Sequence, residues 1–109
     1  LEAAVKQDPQ AMRQITKLTK KLALHLFSVS AATLGYIPNN LGVTVDEVKS
    51  IIISAITSDK VDEDYIRELI NNKAIGGRQS KWPIDLLSLI DAYGTRAVKK
   101  IAVSEYLKY

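Results

Sequence analysis

Four helix-start signals punctuate this chain, and each is followed by apolar residues at helical spacing. The clearest is Thr44-Val45-Asp46-Glu47. A threonine hydroxyl there accepts from the backbone N–H three residues on, while the glutamate reaches back to the threonine's own N–H. Val48, Ile51, Ile52, Ala55 and Ile56 then fall on one helical face. The run Ile51-Ile52-Ile53 favours a strand by propensity alone, but the capping signal and the spacing predict a helix. Asp8-Pro9 is the second signal, an N-cap followed by proline at the first helical position. Asp62-Glu63-Asp64 is the third, with carboxylates where the helix dipole favours them. Ser80 is the fourth, with Pro83 in the first turn, where a missing N–H does no harm.

The apolar spacing extends these signals into elements. From Pro9, the residues Met12, Ile15, Leu18, Leu22, Leu26 and Val29 lie on one line, and beyond Leu22 the segment is apolar nearly all round. This predicts one long central helix, ended by Gly35 and followed by a Pro38-Asn39-Asn40 loop. Tyr65, Ile66, Leu69 and Ile70 form the inner face of the helix that Asp62 starts, and Gly76-Gly77 lie beyond its end. Leu86, Leu87, Leu89, Ile90 and Tyr93 follow the Ser80 signal. Gly94-Thr95 either divides this helix from a last one or lies within an uninterrupted helix, at a cost of about 1 kcal/mol for the glycine. The expected fold is all-α: a compact single-domain bundle of about five helices over residues 1–109, with short loops. Its expected core includes Leu22, Leu26, Ile52, Ile56, Leu69, Leu86, Leu87 and Ile90.

Composition bounds the function. A chain of 109 residues suits one domain, and 47% apolar with 25% charged residues is the balance of a packed protein. The charge-poor run Leu22–Val45 contains His25, Ser28, Ser30, Pro38 and two asparagines, so it predicts no membrane span. No secretory leader is expected either. The absence of cysteine excludes disulfides and thiolate metal sites, and fits an intracellular setting, cytoplasmic or nucleoid-associated. Enzymatic chemistry, cofactors and metals are not expected. The lone His25 continues the Lys17–Lys21 stripe and has no evident orienting partner. Asp62-Glu63-Asp64 lacks the glycine and distal glutamate of a calcium loop. No Gly-Lys-Ser/Thr follows Gly76-Gly77, so they form no phosphate loop.

Charge is segregated. Residues 1–29 and 78–109 each carry a net charge of +3, while residues 30–77 carry −3. Basic ends suit an anionic partner, a larger protein complex, or head-to-tail self-association against the acidic middle. The candidate nucleic-acid contacts are Arg13, Lys17, Lys20, Lys21, Arg78, Lys81, Arg96, Lys99 and Lys100, which would neutralise DNA or RNA phosphates if the fold gathers them on one side. Trp82, between Lys81 and Pro83, reads either as an anchor that packs the 76–83 loop onto the bundle or as a ring that stacks on a base. The packed anchor is the expectation.

Ile90-Asp91-Ala92-Tyr93-Gly94-Thr95-Arg96-Ala97-Val98-Lys99-Lys100-Ile101-Ala102 resembles a degenerate helix-hairpin-helix motif. Gly94 matches the second hairpin glycine of that family, and Ala92 stands where the first is expected. Arg96, Lys99 and Lys100 match its basic second helix. The resemblance implies a hairpin that offers backbone N–H groups to a nucleic-acid phosphate without reading sequence. The leading expectation is therefore a small non-enzymatic nucleic-acid-binding protein. The alternative is a protein-interaction module (an adaptor or an immunity-type inhibitor) or a self-assembling subunit.

Overall fold

Side-chain caps start five of the six described α-helices of this chain. The computed structural model describes residues 2–76 and 80–107, and the regular structure among them is all helical. Six α-helices run in chain order: α1 Glu2–Gln7, α2 Lys20–Val29, α3 Val45–Thr57, α4 Glu63–Ile70, α5 Leu86–Tyr93 and α6 Arg96–Tyr106. Three 3₁₀ stretches, Pro9–Gln14, Ala31–Tyr36 and Asn39–Leu41, join the first three. The all-α expectation holds.

Two of the four start signals begin α-helices as read, and a third caps a shorter element. Thr44 Oγ1 accepts from the Glu47 N–H at 3.2 Å, and Glu47 Oε1 accepts from the Thr44 N–H at 3.0 Å, a complete capping box. Asp62 accepts from the Tyr65 N–H at 3.1 Å and starts α4. Asp8 accepts from the Gln10 N–H at 3.1 Å, but starts a 3₁₀ stretch. The fourth signal is misplaced. The cap of α5 is Asp85, which accepts from the Ser88 N–H at 3.1 Å, and neither Ser80 nor Pro83 is in a helix. The backbone there is committed elsewhere: the Trp82 N–H donates to Ala74 O at 3.0 Å, and the Gly76 N–H donates to Trp82 O at 3.2 Å. Ile75 and Trp82 thus form an isolated parallel bridge, and Gly76 enters it at φ 138°, where a side chain would be strained.

The long helix expected from Pro9 to Leu34 is broken twice. Ile15 turns extended, and Thr19 starts α2 afresh by accepting from the Leu22 N–H at 3.1 Å. Threonine and serine offer the backbone such alternatives to a continuous helix. The second break is at Ser30, also extended. On either side of it, side chains from distant elements take the backbone carbonyls. Tyr65 Oη donates to Phe27 O at 2.8 Å, Asn72 Nδ2 to Ala31 O at 2.9 Å, and Trp82 Nε1 to Leu34 O at 3.2 Å. Lys81 Nζ donates to Ile37 O. Four donors from α4 and the loops after it therefore hold the end of α2 and the turn of chain after it, residues 27–37, where Ala31, Leu34 and Ile37 are buried.

The core joins Leu26 and Phe27 of α2, Ile52 and Ile56 of α3, Ile66 and Leu69 of α4, and Ile90 of α5. Of the eight expected core residues, Leu26, Ile52, Ile56, Leu69, Leu86 and Ile90 are buried. Leu22 is half-buried, packed against the core from its edge. Leu87 is 53% exposed, because Leu86, Leu89 and Ile90 already supply the inner face of α5 and Leu87 falls off that line. Gly94 separates α5 from α6. Its N–H closes α5 on Ile90 O at 2.8 Å, and a Cβ there would stand 2.6 Å from that same oxygen, so the close approach requires glycine.

The caps also set an acid response. Backbone donation from Thr44, then contact with Lys20, lowers the Glu47 pKa; backbone and hydroxyl donation from Ser88 lowers that of Asp85. Groups that ionise more readily when folded stabilise the fold above the ordinary carboxylate range, and that contribution is lost as pH falls through it. Thermal melts followed by circular dichroism should therefore hold level from neutrality down to about pH 5 and fall below about pH 4. In Glu47→Gln/Asp85→Asn the fall should be shallower.

Candidate interaction surface

The nine candidate basic residues divide among several settings. Arg13 lies over the Tyr36 ring, 4.9 Å from its centroid. Lys81 lines the same depression as Arg13, with its ammonium on Ile37 O, and burial lowers its pKa. Lys20 pairs with Glu47 at 3.1 Å. Lys17 and Lys21 are exposed before and at the start of α2. Arg96, Lys99 and Lys100 are exposed on the first two turns of α6. Arg78 lies outside the described residues.

Two of these settings are tied to opposite ends of α3. Lys20 binds Glu47 in the first turn, whereas the Thr95 N–H, just before α6, donates to Ile56 O at 3.0 Å in the last. Nine residues of helix rise separate those anchors, about 14 Å. The hairpin-like segment is two helices joined by Gly94-Thr95, and its Gly94 and Thr95 N–H groups are both engaged within the fold. Trp82 is a packed anchor, as expected: it is 6% exposed and its indole N–H is bonded to Leu34 O.

A different feature stands out on α5 and α6. Among the described residues, every large apolar side chain that is exposed lies there: Leu87, Tyr93, Val103, Tyr106 and, just past the end of α6, Leu107 at 80%. Four of these, all but Tyr93, line one open hollow of about 430 Å³, together with Asp91 and Lys99. Leu87 and Tyr106 also line a second hollow of about 460 Å³, beside Asn72 and Ile84, so they form the ridge between the two. Burial, then the neighbouring Asp85 carboxylate, raises the Tyr106 pKa and keeps its hydroxyl protonated at neutral pH.

The helices present this surface because each has two apolar faces. On α6, Val98 and Ala102 are buried and Glu105 continues their line, while Val103, Tyr106 and Leu107 lie beside that line. On α5, Leu87 is similarly displaced from Leu86 and Ile90. The expectation that Leu87 belongs to the core hid this surface in the sequence. An eight-residue helix with Leu86, Leu87, Leu89, Ile90 and Tyr93 has more apolar positions than one face holds, and that was the available signal.

The hollow is polarised along its length. Leu87, Val103, Tyr106 and Leu107 hold its open end; Asp91 and Lys99 stand nearer the α5–α6 turn, with Arg96 and Lys100 on adjoining turns of α6. Ion pairs among the described residues engage Lys20, His25 and Arg67, not these three cations. No described helix is long and apolar enough to cross a membrane. Compared with family models, curated proteins and solved structures, the chain finds no match.

Proposed function

We propose that this chain is a protein-interaction module that docks an apolar segment of a partner on the α5–α6 hollow. The observation that carries the reading is the gathering of Leu87, Val103, Tyr106 and Leu107 around one depression, exposed and rimmed by charge. Contiguous exposed apolar surface with a polar rim is characteristic of binding sites. Tyrosine is also enriched at interface centres. The test is binding of the environment-sensitive dye ANS, compared between the parent chain and Val103→Asp/Leu107→Asp. Both positions are exposed, so the variant should keep its helical spectrum while losing most of the dye signal. An unchanged signal in a folded variant would end this reading.

A second reading rests on Arg96, Lys99 and Lys100, exposed together where α6 begins. They would hold nucleic-acid phosphates without reading bases. Affinity for a random-sequence duplex should then fall by about 0.9 log units per log unit of salt for each phosphate neutralised. Replacing one of the three should reduce that slope by about one. Absence of binding at low salt would remove this reading.

A further inference from the structure

We infer that the segment docking on the α5–α6 hollow is an amphipathic helix of at least two turns, with carboxylates at the end that lies over Lys99. The inference rests on the interaction reading above and specifies the partner. Length comes first: Lys99 to Leu107, the part of α6 that lines the hollow, spans eight residues of rise, about 12 Å, which a helix of about eight residues matches. The receiving surface is the seam of two helices joined by a two-residue turn, where a third helix seats its i, i+3, i+4 side chains. The described residues contain no strand, and so no sheet edge for an extended peptide to join.

Charge fixes the chemistry and the direction. Lys99 and Asp91 line the hollow toward the turn, with Arg96 and Lys100 exposed on adjoining positions of α6, and the lining at its other end is apolar, with Asp85 beside Tyr106. A carboxylate-bearing end over Lys99 with an apolar end over Val103 and Leu107 satisfies both halves. A second copy packed parallel would set its cations against those of the first.

The test is a display selection from a library of helical 14-residue peptides on the immobilised full chain. All apolar and charged positions vary, and Val103→Asp/Leu107→Asp is the counter-target. Expected is enrichment of an i, i+3, i+4, i+7 apolar pattern with Asp or Glu gathered at one end. Against Lys99→Glu/Lys100→Glu, an enriched peptide should bind about tenfold or more weaker, since like charges then face each other. The same variant, used as target, should select Lys or Arg at that end. An apolar helical pattern with no charge preference overturns this inference and leaves the interaction reading intact. No enrichment over the counter-target overturns both. Sedimentation of the free chain should show a monomer, and a concentration-dependent dimer abolished by Leu107→Asp would make a second copy the occupant instead.

Discussion

Replacing Trp82 by alanine is expected to destabilise the protein by about 3–5 kcal/mol. The ring is 6% exposed and belongs to the core cluster, although it sits in a connector. Its truncation leaves a void between the 31–37 stretch and the segment leading into α5. It also removes the Nε1–H donor at Leu34 O, which then keeps only the longer 3.4 Å bond from the Ile37 N–H. Trp82→Phe separates the two contributions. It retains most of the ring and deletes the donor, so about 1–2 kcal/mol should be lost. Urea denaturation followed by far-ultraviolet circular dichroism reads both. A loss below about 1 kcal/mol in the alanine variant would mean that the connector is not held by this anchor. Because the ring is covered, neither variant should change affinity for a single-stranded nucleic acid while the protein remains folded.

The second large effect is expected at Arg67. Glu105 is a buried carboxylate on α6, 3% exposed, facing Arg67 and Asn71 of the α4 region. Arg67 Nε lies 3.1 Å from one of its oxygens, and Asn71 Nδ2 donates to the other at 3.2 Å. Arg67 also pairs with Glu63 one turn back on α4, which fixes the guanidinium in place. Arg67→Met takes away the cation and leaves the buried charge less compensated. Such losses reach about 3–5 kcal/mol when both partners are buried. The Arg67 side chain is 45% exposed, so about 2–4 kcal/mol is expected here. The double variant Arg67→Met/Glu105→Leu removes the charge together with its partner and should regain much of that loss. If the double variant were as unstable as the single one, the pair would act through shape rather than charge.

The parts legible in the sequence share a local cause. The Thr44–Glu47 box and the Asp62 cap work through hydrogen bonds spanning three residues, so their outcome is written within a few positions. The division at Gly94, which the sequence left open, is local too, set by the oxygen of Ile90 four residues back. What was hidden depends on distant residues. The apolar spacing from Pro9 to Leu34 is helical in period, yet the chain leaves the helix at Ser30, where Tyr65, Asn72, Lys81 and Trp82 offer donors to its carbonyls. Ser80 has the chemistry of a cap, but the bridge between Ile75 and Trp82 removes the backbone it would need. At the candidate site, the charges of Arg96, Lys99 and Lys100 were readable. The apolar half of the surface was not, because Leu87 looks like core until Leu86 and Ile90 are seen to fill that role.

The donors that hold the 27–37 stretch have a temporal consequence. They lie 38, 41, 44 and 48 residues further along the chain than the carbonyls they satisfy. During synthesis, α2 and its continuation emerge well before any of these partners exist. Until then, nothing opposes the local preference of residues 30–34 to continue as helix, which the spacing itself encodes. The shape of the finished stretch therefore depends on donors that arrive only with α4 and the loop after it. A nascent chain halted after α3 would hold a longer α2 than the finished protein does.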